Sequence, residues 1–154
     1  MDSRVKDALL NAWMSMALNI RGNRILSNLS FNEIVVCSIL YRNMQEDKPM
    51  LTATDLCNDM KLLKSQLNRE LNLLEERGLI ERIRSDKDKR KVFIKLREDN
   101  LSVYLEEHEK VMYIVHNICM MLGEEKAKEL TKLLHQAVDI VNKCRAEYAN
   151  EDMS

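Results

Sequence analysis

Residues 52–96, TATDLCNDMKLLKSQLNRELNLLEERGLIERIRSDKDKRKVFIKL, decide how the rest of the chain is read. Thr52 or Thr54 is placed to cap a short helix reaching about Asp59, because a hydroxyl there accepts from an otherwise unpaired amide of the first turn. Residues 60–63 form a turn, and a second helix is predicted over residues 64–77. In that helix Leu63, Leu67, Leu71 and Leu74 fall at i, i+4, i+8 and i+11, a packing stripe, while Lys64, Ser65, Gln66, Asn68, Arg69 and Asn72 lie off it and face outward. Gly78 stands at the position after the helix where left-handed backbone is needed. The period then changes from 3.6 to 2: Val92, Ile94 and Leu96 alternate with Lys91, Phe93 and Lys95, which predicts a hairpin of residues 79–84 and 91–96 around the all-polar tip 85–90.

A short helix, a tight turn, a second helix and a charged hairpin make a winged helix-turn-helix. Side chains near the start of its second helix are placed to meet base edges, and those of the hairpin to meet phosphate or the minor groove. Charge follows the same division. Residues 1–50 sum to +1, residues 51–97 to +4 and residues 98–154 to −6, and residues 82–97 alone carry +6. Positive potential is thus concentrated where a polyanion is to be met.

Outward from this unit the pattern is helical. Val5, Leu9, Trp13, Met16 and Ile20 recur at helical spacing over residues 2–20, with Gly22 and Asn23 as the stop. Ser30, with Glu33 three residues on and Leu29 and Ile34 as a staple, starts a helix over residues 31–44 whose apolar character nearly all round predicts a central position. Leu101, Leu105, His108, Met112, Val115, Cys119 and Leu122 give a long stripe ending at Gly123. A last helix over residues 124–148 carries Leu130, Leu134, Val141, Cys144 and Tyr148. Stripes of this kind need partners.

The fold class expected is mostly α (α+β). Three Gly, one Pro and 32% charged residues in 154 are the composition of a helical chain with few turns. Four scattered cysteines without a C-x-x-C pair argue against a disulfide framework, so buried reduced thiols and a cytoplasmic protein are expected. No apolar run approaches the roughly 20 residues of a membrane helix, and no membrane partner is expected.

The run LNLLEERGLIERIRSDKDKRKVFIKL resembles the MarR family of transcriptional regulators. Leu74, Glu75 and Gly78 stand where that family has a Leu-Glu pair and a Gly, and Asp88 and Arg90 match its Asp-x-Arg wing tip. The resemblance implies that the Asp orients the wing and the Arg enters the minor groove. It further implies a single domain over residues 1–154, with a DNA-binding part at 31–97 and helical dimerisation parts at 1–22 and 98–150. The protein so read is a homodimeric repressor of a pseudo-palindromic operator, released by a small-molecule effector. Candidate DNA-contacting residues are then Lys64, Ser65, Gln66, Asn68 and Arg69 on the recognition helix and Arg84, Lys87, Asp88, Lys89, Arg90 and Lys91 on the wing. Val5, Leu9, Leu130, Leu134, Val141 and Tyr148 are candidates for the dimer interface, and Trp13, Met16, Ile39 and Tyr41 for an effector pocket. Two positions depart from the family: Asn68 matches a common Thr, and Glu70 replaces an apolar residue.

A winged-helix module that binds protein through the same faces remains an alternative, as does a redox- or metal-responsive regulator of the same fold. For the latter, His116 and Cys119 at i and i+3 supply only two of the roughly four ligands zinc wants. No cofactor and no metal site is expected. Nor does any Gly-rich phosphate loop, nucleophile triad or paired carboxylate set point to an enzyme.

Overall fold

A computed structural model describes residues 2–22, 26 and 28–151, and divides the chain into two compact units, Met1–Val111 and Met112–Ser154. The first contains α1 (Ser3–Gly22), α2 (Phe31–Gln45), β1 (Leu51–Thr52), α3 (Ala53–Met60), α4 (Lys64–Glu76), β2 (Ile80–Arg84) and β3 (Val92–Leu96). A 3-10 turn (Glu98–Asn100) leads into α5 (Leu101–Leu122), whose first half belongs to this unit. The second unit holds the remainder of α5 and α6 (Glu124–Glu151). The predicted stop after the first helix falls at Gly22; its second residue, Asn23, lies outside the described residues.

Helix starts follow local chemistry. Ser30 and Glu33 cap α2 reciprocally, the Ser30 hydroxyl accepting from the Glu33 amide at 3.2 Å and the Glu33 carboxylate from the Ser30 amide at 2.6 Å. The staple residues Leu29 and Ile34 are both buried. Thr52, rather than Thr54, caps α3: its hydroxyl accepts from the Asp55 amide, and the Asp55 carboxylate accepts from the Thr52 amide at 2.8 Å and hydroxyl at 2.7 Å. These bonds hold the Asp55 carboxyl below its ordinary pKa.

The core of the first unit is one apolar cluster: Val36, Cys37 and Leu40 of α2, Leu56 of α3, Leu67, Leu71 and Leu74 of α4, Leu79, Ile80, Ile94 and Leu96 of the hairpin, and Tyr104 of α5. Burial of each such Leu stabilises the fold by roughly 1.5–3 kcal/mol relative to exposure. Tyr104 and Glu107 are buried, so the start of α5 is part of this core. Tyr41 lies against Tyr104, ring centres 5.4 Å apart, and His108 completes the aromatic group.

The hairpin expected from residues 79–96 gains a third strand. The sheet order is β1-β3-β2, all antiparallel, with Leu51 opposite Ile94 and Thr52 opposite Phe93. The expectation of buried thiols holds for Cys37 and is corrected for the others: Cys57 is half-buried, while Cys119 and Cys144 are exposed, and all four are free. Burial, with the nearby Glu33 charge, pushes the Cys37 thiol up to about 12. No helix among the described residues is long and apolar enough to cross a membrane.

Candidate nucleic-acid interface

The helix-turn-helix is made by α3, a turn and α4. The chain reverses at Lys61, held in left-handed backbone at φ 54°, and Leu63 begins α4 in extended backbone. Leu67, Leu71 and Leu74 are fully buried and hold α4 against the core. Their burial fixes which way the opposite face looks. Lys64, Ser65, Gln66 and Arg69 are exposed and Asn68 is half-buried.

One feature of α4 corrects the sequence reading. Leu63 was placed on the packing stripe, yet it is 69% exposed. The stripe continues one turn past the end of the core, and spacing alone does not mark where the core stops. Glu70, on the buried side, is 5% exposed and its carboxylate lies 3.5 Å from the Arg69 guanidinium. In addition, the Gln66 side chain is not idle: its Oε1 accepts from the Leu63 amide at 3.2 Å, the half of a capping box that a side chain at the third helical position supplies, while Leu63 offers the first-turn amides no side-chain acceptor.

The wing is β2, the tip and β3, in register from Ile80 opposite Leu96 to Arg84 opposite Val92. The tip is folded by its own side chains. Ser85 Oγ accepts from the Asp88 amide at 3.2 Å, Asp88 Oδ1 accepts from the Arg90 amide at 3.1 Å, and the Lys91 amide donates to the Asp88 carbonyl at 2.8 Å. Arg84, Lys87, Asp88, Lys89, Arg90 and Lys91 are all exposed. Further along, Arg97 is taken up by Asp99, which removes it from the free cations of the wing.

Recognition helix and wing are joined by a residue that sequence reasoning missed. Arg82, in the middle of β2, donates from Nη2 to Asn72 Oδ1 at 2.8 Å and from Nη1 to the Glu75 carboxylate. Its signal was present but faint: Asn72 and Glu75 lie at i and i+3 on one helical face, with an arginine on the strand that follows. Asn72, read as outward-facing, is therefore engaged with the wing.

The far end of α4 is anchored as firmly. Gly78 takes φ 70°, and the Asn100 side chain donates from Nδ2 to its carbonyl at 3.1 Å. Arg77 Nη1 donates to the Asn28 carbonyl at 2.6 Å and lies 3.5 Å from the buried Glu33 carboxylate. Asn28 in turn donates to Glu107 on α5 at 3.2 Å. A rigid second helix with a polar front and a tethered basic hairpin can therefore present both surfaces to one partner.

The other candidate residues are distributed differently. Ile39 and Tyr41 are half-buried against the core, whereas Trp13 and Met16 of α1 are 61% and 47% exposed. None of the four lines the cleft of about 170 Å³ bounded by Leu40, Met44, Met50, Leu51, Ile94 and Leu96. Val5 and Leu9 are exposed on α1. On α6, Leu134, Val141 and Tyr148 are exposed and Leu130 is half-buried.

With this geometry in hand, comparisons place the chain among known proteins. The family model described as transcriptional regulator SarA/Rot matches residues 25–106, which include the whole winged unit. The HTH-type transcriptional regulator FarR of Neisseria gonorrhoeae is 34% identical over 86 residues, 56% of this chain. That stretch is 59% of FarR, so the chain matches about three-fifths of the length of this curated relative. Solved structures with the same fold include MarR-family regulators. Streptococcus pneumoniae FabT, solved in complex with DNA, aligns with a TM-score of 0.68 at 20% identity over 92% of this chain and 99% of its own. NadR, solved with 4-hydroxyphenylacetate, aligns at 0.66 and 27% identity over 86% of this chain and 91% of its own.

Proposed function

This chain belongs to the SarA/Rot family of transcriptional regulators, and from that premise we propose that it is a homodimeric repressor, working in the cytoplasm, that reads a pseudo-palindromic operator and is released by a small molecule. The protein acts by binding, not by catalysis. The observation that carries the reading is the pairing of an exposed polar face on α4 with an exposed basic wing, the two joined through Arg82. Lys64, Ser65, Gln66, Asn68 and Arg69 meet the major groove. Arg84, Lys87, Lys89, Arg90 and Lys91 meet phosphate and the minor groove, with Asp88 holding the tip that presents Arg90.

Homodimerisation is supported by apolar side chains that each unit leaves in solvent. Val5, Leu9 and Trp13 in the first, and Leu134, Val141 and Tyr148 in the second, are all 40% exposed or more. Amphipathic helices are marginal until such apolar side chains are covered. Two copies set about one helical turn apart also supply what one lacks, since non-specific binding at physiological salt is only about 10⁻⁴–10⁻⁶ M. The NadR complex with a phenolic acid supports an effector of similar size, with Trp13, Met16, Ile39 and Tyr41 as the residues we assign to its pocket.

Selection of bound genomic fragments followed by footprinting tests the reading. The expected result is a two-fold symmetric footprint whose affinity falls steeply with salt. Absence of salt-dependent binding to any fragment overturns it, and a monomer of 18.1 kDa in sedimentation at micromolar concentration overturns the dimer.

A further inference from the structure

Leu63 is out of place for a structural residue. It is the N-cap of α4, a position at which Ser, Thr, Asp or Asn gives the first-turn amides a side-chain acceptor, and it provides none. Its side chain is 69% exposed, although the Leu stripe it belongs to is completely buried from Leu67 onward. Leu62 before it is half-buried, and exposed polar residues flank the two leucines: Lys61 on one side, and Lys64, Ser65 and Gln66 on the other. The Gln66 carboxamide, bent back onto the Leu63 amide at 3.2 Å, satisfies that amide but gives no acceptor to the first-turn amides a polar N-cap would serve, and the leucine side chain is left at the tip of the helix. The fold thus keeps a large apolar group at the end of the recognition helix that enters the major groove.

In that groove the apolar feature of the base-pair edges is the C5-methyl of thymine; the other positions presented are hydrogen-bond donors and acceptors. A leucine side chain has nothing to offer phosphate. We propose that Leu63 is a specificity-determining residue that selects a thymine in each half-site by packing on its methyl group. The inference rests on the DNA-reading role of α4 given above and adds to it an apolar contact that the polar candidates do not provide. Transfer of one methyl out of water is worth about 0.8 kcal/mol, or close to four-fold in affinity for each thymine read.

The test is a cycle between protein and DNA. Each thymine of the selected operator is replaced singly by deoxyuridine, which removes the methyl and keeps every hydrogen-bonding group, and wild-type protein and Leu63→Ala are titrated against the set. One thymine per half-site is expected at which the replacement weakens the wild type about four-fold and leaves Leu63→Ala unchanged. Thermal melts of the two proteins should coincide, because the side chain is in solvent. If Leu63→Ala loses the same affinity on thymine and uracil operators at every position, or loses none, the methyl contact is refuted while the regulator reading stands. If the wild type binds no operator at all, the regulator reading fails and carries this one with it.

Discussion

Replacing Arg82 with Met removes the guanidinium that ties wing to recognition helix and keeps most of the apolar stem. Two interactions are lost: the hydrogen bond to Asn72 at 2.8 Å and the ion pair with Glu75. The Glu75 side chain is 41% exposed, so solvent screens the pair to about 0.2–1 kcal/mol, and the net hydrogen bond adds about 0.5–1.5 kcal/mol. A loss of about 1–2 kcal/mol in stability is small beside the roughly 5–15 kcal/mol of a domain, so the variant stays folded. The functional effect is of another kind. With the tether gone, the tip no longer holds Arg90 at a fixed distance from the helix, and Arg82→Met should forfeit the wing contact much as Arg90→Ala does, about ten-fold in operator affinity, or 1.4 kcal/mol. Fluorescence anisotropy on a labelled operator with all four members of the Arg82/Arg90 cycle is the assay. The double variant should bind nearly as well as either single one, and the salt slope should fall once, not twice. Losses that add across the cycle, or an Arg82→Met protein that is less stable in urea but binds normally, would refute the tether.

Three further outcomes follow from the structure. Gly78→Ala forces a side chain into φ 70° and places its Cβ 3.2 Å from Asn100 Nδ2, so urea unfolding should report a loss of roughly 1–2 kcal/mol; an unchanged midpoint would contradict the left-handed turn. Cys37, buried and with its thiol pushed up to about 12, should stay silent to a disulfide reagent at pH 8 until urea is added, whereas fast labelling of the folded protein would show that α2 is not packed as described. Asp55 has a folded pKa below its unfolded one, held there first by the Thr52 hydroxyl, so its stabilisation is present above the unfolded value near 4 and is lost as pH falls through the lowered one. Asp55→Asn should therefore flatten the acid limb of the stability curve, and overlapping curves for the two proteins would remove this cap from the account.

What could be read from the sequence was what depends on near neighbours. The capping pair Ser30 and Glu33, the turn at Gly78 and the alternation of Val92, Ile94 and Leu96 are patterns within a few residues, and each appears in the fold as expected. β1 could not be read, because two residues carry no period and their partners Ile94 and Phe93 lie more than 40 positions away. Leu63 was misread for a related reason: spacing identifies a face, but where that face stops being covered depends on other elements. Arg82 is the same problem in polar form. It looks like one more cation of a basic hairpin until Asn72 and Glu75 are brought beside it. The helix and hairpin that carry the candidate residues were legible, and the couplings between those elements were not.

Charge and apolar exposure label separate parts of the chain, and that separation bears on how a regulator of this kind avoids binding nucleic acid through the wrong surface. The wing and its flank carry +6 within sixteen residues, while residues 98–154 carry −6. The second unit nonetheless exposes Met112, Tyr113, Met120, Met121, Leu133, Leu134 and Tyr148. An apolar surface with no charge of its own would be open to any partner. Residues 112–154 carry 5 basic and 7 acidic side chains, a net −2, so polyanions are repelled only mildly, at distances up to about a Debye length, roughly 8 Å at physiological salt, and the apolar side chains remain open to an apolar face of their own kind. Helices of this type are marginal when isolated, so their apolar stripes stabilise little until covered. Covering them by a second copy would bring in a second basic wing, so dimerisation through these helices would double the positive surface offered to DNA.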